Sequence, residues 1–388
     1  MTILFSFTYV ITPTKGGTER AASLIATYLQ QEGYHIMYLV TEEHGVDSVE
    51  EQRFYMPKGL TLSQKQNWIR TFCNEYHVDI IINEAGTTDD VYFLSKECLP
   101  ESIKVITCLH FDILGDLTYF YSNYNYSFRG LGMKECVFKL IQILRLPFLK
   151  SMHTRNRRAR YRYAANYSDR VVVLSPTSVQ DYLLFTSQSD DGKVIHIPNP
   201  SSFELPDNVN FEEKENIILF VGRVTYSPKK VHRVLEFWRE LYPIHSDWKL
   251  QIVGDGDDLP RCKRLAAKWK LPRVEFVGAT VNVQQYYRKA RILVLTSDYE
   301  GSPMVIPEAQ VYGCVPVVYN SFAGASLNID HGENGYLIPP FHKHDFVYQL
   351  SKLMSEPVIS IKQMQNKLKI HCIKSIGRDW MWLIQSMF

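Results

Sequence analysis

Short runs of β-branched and apolar residues alternate along this chain with longer stretches whose apolar positions recur every three or four residues. Residues 3–7, 36–40, 78–82, 104–108 and 171–174 read as strands, because continuous apolar runs of that length suit a sheet covered on both faces. Between the first two, Ala21, Leu24, Ile25, Tyr28 and Leu29 share one helical face, and Gly33 marks the stop. Strand, helix and parallel strand make a βαβ unit. The same rhythm returns in the second half, with strands at 217–221, 250–253, 274–277, 292–295 and 315–318. Helices there are expected around Val231, Val234, Leu235 and Trp238, and again up to Trp269.

A turn-rich stretch from Ile197-Pro198-Asn199-Pro200 to Pro206, followed by the charged run Glu212 to Glu215, separates the two halves. With 388 residues the chain exceeds what one core usually supports. The expected organisation is 1–200 and 201–365 as two domains, with 366–388 as a helical segment packing back on the first. The fold class expected is α/β, two doubly wound Rossmann-like domains facing across a cleft, since such sheets bind ligands beyond the carboxyl ends of their strands.

Composition narrows the function. The 43 Lys plus Arg nearly balance 41 Asp plus Glu, which argues against a general nucleic-acid binder. Seven cysteines without a C-x-x-C pair or a metal-like cluster with histidine suit a reducing compartment. The apolar start is followed at once by Lys15-Gly16-Gly17, so it reads as a first strand and not as a secretory leader. No apolar stretch approaches the ~18 residues of a membrane-spanning helix. A cytoplasmic protein, peripheral at most on the inner leaflet of the plasma membrane, is expected.

The chemistry concentrates after the strand at 292–295, in Ser297-Asp298-Tyr299-Glu300-Gly301-Ser302-Pro303-Met304-Val305-Ile306-Pro307-Glu308-Ala309. Glu300 and Glu308 lie eight positions apart across a strand-to-helix turn. Gly301 lets backbone approach a ligand, and Ser302-Pro303 reads as a cap and first helical residue, with Pro307 as the alternative start. Either start would turn free amides toward a diphosphate. Upstream, Val221-Gly222-Arg223 closes a strand and Lys229-Lys230 opens a helix, a rigid fork of donors beside a mobile point charge. Gly254-Asp255-Gly256 lacks dinucleotide-loop spacing and reads as a strand-ending turn.

The glutamate pair resembles the E-x7-E motif of the retaining glycosyltransferases with the GT-B fold, glycosyl transferases group 1 or family four. Tyr312-Gly313-Cys314-Val315-Pro316 and His331-Gly332-Glu333-Asn334-Gly335 are similar to that family's pattern in the same order. The resemblance implies a hexosyltransferase that draws on a nucleotide-sugar donor, UDP-sugar first and guanosine diphosphate mannose next. It implies transfer to a glycan or lipid-linked acceptor in bacterial cell-surface polysaccharide synthesis, with the acceptor on the N-terminal domain and the donor on the C-terminal one. By the same resemblance His110, Arg223, Lys229 and Glu300 are catalytic, and Gly16, Gly17, Arg223, Lys229, Gly301, Ser302, Pro303, Met304, Val305 and Glu308 bind donor. The family commonly has Gly where this chain has Lys230. No D-x-D pair stands in a fitting context, so no metal and no cofactor is expected. A nucleotide-sugar epimerase on the same fold and a non-catalytic sugar-nucleotide binding protein remain the rival readings.

Residues 129–163 carry ten Lys plus Arg against one acid, the least even stretch of charge in the chain, interleaved with apolar residues such as Phe138, Ile141 and Phe148. Such a segment suits an anionic membrane surface, with Arg155, Arg157, Arg158 and Arg160 as lipid-facing cations. A helix that buries its apolar face in the domain fits the pattern equally.

Overall fold

The computed structural model describes residues 1–10, 16–42, 52–124, 132–201, 203, 214–356, 359, 361–365 and 367–388. They form two compact units, Met1–Pro198 together with Ile376–Phe388, and Asn199–Ser375.

The first unit holds seven strands: β1 (Thr2–Phe7), β2 (His35–Val40), β3 (Arg53–Tyr55), β4 (Ile80–Asn83), β5 (Lys104–Cys108), β6 (Arg170–Val173) and β7 (Val194–His196). They pair in parallel in the order β3-β2-β1-β4-β5-β6-β7, so the chain changes direction of travel across the sheet between β1 and β4. Ile3, Leu4, Phe5, Ile80, Ile81 and Ile82 are fully buried, which accounts for the unbroken apolar runs. The five strands expected from sequence are present within two residues of their expected bounds. The edge strands β3 and β7 escaped the pattern because three residues are too few to show one.

The helix Gly17–Gln31 turns Ala21, Ala22, Ile25, Ala26 and Leu29 onto the sheet. Tyr28, half-buried, lies against Gly377, where a Cβ would come within 2.3 Å of its ring. That glycine belongs to the helix Ile373–Gln385, whose Ile376, Trp380, Leu383 and Ile384 share one core with Ile3, Phe5, Ile25 and Leu29.

The second unit has six strands: β8 (Glu215–Val221), β9 (Lys249–Val253), β10 (Val274–Gly278), β11 (Ala290–Leu295), β12 (Val315–Tyr319) and β13 (Tyr336–Ile338). Their order is β10-β9-β8-β11-β12-β13, again parallel, with the change of direction between β8 and β11. The helix His232–Leu241 buries Val234, Leu235, Phe237, Trp238 and Leu241 as its period requires, and the Trp238 indole N–H donates to the Pro272 carbonyl at 2.8 Å.

All seven cysteines are free thiols. Burial first of all pushes Cys73, Cys262 and Cys314 up to about 12, so none is a thiolate nucleophile.

The basic segment is largely one helix, Met133–Tyr167, with Pro147 inside it, while residues 129–131 lie outside the described ones. Its apolar side chains between 133 and 148 point mostly outward, which removes the alternative of a buried apolar face there. Two of the four arginines expected to meet lipid are engaged otherwise: Arg157 forms a two-pronged ion pair with Asp116, and Arg160 donates to Asp89 at 2.6 Å.

Candidate functional site

In the second unit the carboxyl ends of β8 and β11 mark the change of direction, the place where parallel sheets of this kind bind ligands. Beyond β8, Gly222 donates its N–H to Val253 O at 3.0 Å and Val224 donates to Asp255 O at 2.9 Å. The turn Gly254-Asp255-Gly256 is pressed against this segment so closely that a Cβ on Gly254 would lie 1.9 Å from the Gly222 carbonyl oxygen. It is a strand-ending turn, and its glycines let two backbone segments meet. Arg223 thereby stands exposed at the strand end and makes no ion pair with a described residue.

Lys229 and Glu300 meet. Lys229 Nζ lies 2.5 Å from Glu300 Oε1, and the same oxygen accepts from Ser297 Oγ at 2.6 Å. Beneath them sits a group that sequence reasoning missed. Asp298 is fully buried, with Oδ1 2.6 Å from Arg233 Nη1 and Oδ2 3.3 Å from Lys230 Nζ. Its own N–H donates to Pro228 O at 2.9 Å, tying the loop that bears Lys229 to the end of β11. Lys230 adopts φ +52°, the left-handed region that favours glycine, at the position where the resembling family commonly has Gly. Its ammonium lies 4.0 Å from the centroid of the Tyr226 ring, which also stacks on His232. Burial lowers the Lys230 pKa, opposed by Asp298; burial and then Arg261, Arg233 and Lys230 push His232 down to about 3, so it is neutral.

The helix after the motif is Val305–Val311, with Met304 at the capping position and no side-chain cap. Neither expected start holds: Ser302 is buried, its carbonyl accepting from Asn199 Nδ2 at 3.0 Å, and Pro307 is the third helical residue, where its missing N–H has no intrahelical partner to lose. Arg223, Lys229, Glu300, Gly301 and Val305 reach solvent, whereas Ser302, Pro303, Met304 and Glu308 are buried. Glu308 Oε2 accepts from the Tyr287 hydroxyl at 3.0 Å.

The glycine-containing turn at 331–335 acts through packing. Asp330 N–H donates to Asn334 Oδ1 at 2.7 Å, and Gln310 Nε2 donates to the carbonyls of Asn328 and Asn334 at 3.2 and 3.0 Å. These bonds fix the helix Ala323–Asn328, whose Gly324 lies under the motif: a Cβ there would come within 2.3 Å of Gly301 O. Gly324 thus sets the height of the Gly301–Ser302 backbone.

In the first unit Gly16, extended, precedes the helix Gly17–Gln31, with Glu19 in its first turn; Lys15 lies outside the described residues. His110 follows β5, and its Nε2 contacts Glu84 Oε2, a carboxylate that follows β4 and that the sequence did not single out. Both side chains are largely buried, at 7% and 1% exposure. The other ring nitrogen of His110, Nδ1, is buried and has no hydrogen-bond partner among the described residues. Glu84, Cys108 and His110 place their ligating atoms within 4.8 Å of one another, the donor set among the described residues that could hold a metal. Burial and then Glu84 push the Cys108 thiol well up.

Residues 201–371 match the family model of glycosyl transferases group 1. Over 378 residues the chain is 25% identical to an uncharacterized glycosyltransferase of Haemophilus influenzae, covering 94% of this chain and 95% of the relative. It is 31% identical over 194 residues to the amylovoran biosynthesis glycosyltransferase AmsD of Erwinia amylovora, 48% of this chain and 53% of that one. Among solved structures, the apo form of the lipopolysaccharide outer core galactosyltransferase WaaB superposes with a TM-score of 0.72 at 18% identity, covering 100% of both chains. Alr3699/HepE of Anabaena in complex with UDP-glucose gives 0.71 at 15% identity, also over 100% of both. Two parallel α/β sheets of this kind define the GT-B fold, and the chain is a glycosyltransferase. The part of the chain that matches the glycosyl transferases group 1 model lies within the second unit and takes in its strands and helices.

Proposed function

We propose that this glycosyltransferase moves a hexosyl residue, with retention of configuration, from a UDP-sugar to a glycan or lipid-linked acceptor in cell-surface polysaccharide synthesis. The observation that carries the reading is the exposed Arg223 beyond β8 together with Lys229, also beyond β8, paired with Glu300 beyond β11. The WaaB and AmsD names and the UDP-glucose held by HepE support the substrate class. The second unit binds donor, with Gly301, Ser302, Pro303, Met304 and Val305 along its sugar and diphosphate and Glu308 on the ribose. The first unit takes the acceptor; in this reading Gly16 and Gly17 bind donor and His110 is catalytic.

The bond between sugar C1 and phosphate oxygen breaks as Arg223 and Lys229 meet the charge growing on the leaving diphosphate. The acceptor oxygen bonds C1 on the same face, and the departing phosphate oxygen takes the acceptor proton. Glu300 accepts from a sugar hydroxyl and keeps Lys229 extended.

A thermal-shift panel of nucleotide sugars tests the donor class: the cognate donor at a hundredfold its Kd stabilises the protein by ~2.7 kcal/mol. No response to any nucleoside diphosphate sugar would overturn the reading. Glu308→Ala should weaken donor and free nucleoside diphosphate alike, by on the order of tenfold, the cost of a charge-assisted hydrogen bond. Unchanged nucleotide affinity by calorimetry removes Glu308 from the ribose.

No metal or other cofactor enters this mechanism. Activity should therefore survive EDTA; complete loss, restored by Mg²⁺ or Mn²⁺, would move the charge stabilisation to a bound cation and direct attention to Glu84 and His110.

A further inference from the structure

The helix Met133–Tyr167 presents outward what a surface helix normally buries. No residue from 133 to 145 is buried. Met133, Phe138, Leu140, Ile141, Leu144 and Phe148 are each at least 50% exposed. At 3.6 residues per turn these six fall within one sector of about 160°. Leu146 and Tyr161, both buried, lie on the opposite side and hold the helix to its unit. A patch of this size calls for an occupant.

The charges identify it. Farther along the helix the same sector carries Arg155, Arg158 and Arg162, which with Lys150 line a groove beside Pro147. Lys134 and Arg145 flank the apolar turns, and neither they nor Arg155 make an ion pair with a described residue. The helix has one acid, Glu135, and it accepts the Gly132 N–H at 2.8 Å. The paired arginines, Arg157 and Arg160, lie outside the sector. A second copy of the chain would bring the same basic turns with no acid to meet them. Among the described residues no helix is long and apolar enough to cross a membrane.

We infer that this face of the helix docks on an anionic phospholipid bilayer, its apolar turns entering the headgroup boundary and its cations resting on lipid phosphates. The inference stands apart from the donor reading, because none of these residues belongs to the donor site.

The test is sedimentation of the full chain with phosphatidylcholine vesicles, with and without phosphatidylglycerol. Pelleting is expected with the anionic vesicles only, and less of it as salt shortens the ~8 Å screening length. Lys134→Ser, Arg145→Ser and Arg155→Ser together should lower partitioning on the order of 100-fold. Phe138→Ser, Leu144→Ser and Phe148→Ser together should lower it on the order of tenfold or more. Unchanged circular dichroism and nucleotide-induced thermal shift would show that both variants fold and keep the donor site. Equal recovery in the supernatant with both vesicles would overturn the inference, and so would equal pelleting with both. A concentration-dependent dimer that the apolar variant dissolves, without vesicle binding, would assign the face to self-association instead.

Discussion

Arg223→Ala should lower turnover on the order of 10²-fold or more and leave folding stability within about 0.5 kcal/mol of the parent. Both halves follow from its position. The side chain is exposed beyond β8 and forms no ion pair with a described residue, so truncation opens no cavity and strands no partner. The proposed charge on the leaving diphosphate is greatest in the transition state, and there a fixed donor fork matters most. Arg223→Lys, which keeps a charge and loses the fork, should fall between. Rates of nucleoside diphosphate release set beside urea unfolding curves check this. A folded alanine variant with near-parental kcat would take Arg223 out of the mechanism.

Asp298→Ala should have the opposite signature, a loss of stability on the order of 3–5 kcal/mol, because removing one member of a buried ionic group leaves the others uncompensated. Asp298 is wholly buried between Arg233 and Lys230. For a unit of this size the midpoint would fall on the order of 10 °C. Asp298→Asn keeps the shape and an acceptor and should cost less. Calorimetric unfolding provides the measurement, and a shift below about 1 kcal/mol would show that the two cations find other partners. Since Asp298 also anchors Pro228 through its N–H, which alanine retains, the Lys229 loop should stay near β11 in whatever fraction remains folded.

The contrast between these residues shows what a sequence displays and what it conceals. Arg223 stands just past the apolar strand β8, Glu300 lies in the turn after β11, and Lys229 precedes the helix that follows β8, so each becomes visible once its strand is. Asp298 and Glu84 occupy similar places, yet what distinguishes them is a partner far away: Lys230 and Arg233 for one, His110 for the other. Burial pairs of that range leave no spacing to read. Gly324 is concealed for another reason, since its function is the absence of a Cβ under Gly301, a relation set by packing between loops. The Ser302-Pro303 cap misled because local preference was overridden once Asn199 took the Ser302 carbonyl. On the helix Met133–Tyr167 the amount of positive charge was plain, but which arginines were already spoken for by Asp116 and Asp89 was not.

The first unit draws part of its core from Ile376, Trp380, Leu383 and Ile384, whereas the second is one uninterrupted stretch, Asn199–Ser375. During synthesis, then, the unit that is made first cannot be finished first. β1 to β7 leave the ribosome with an apolar seam awaiting a helix that is translated some two hundred residues later, while the second unit can close as soon as its own strands emerge. Vectorial folding is inverted in this chain: the early half stays open to chaperones for most of translation, and a stalled or truncated product would present a complete second unit attached to a first one lacking its last hydrophobic layer.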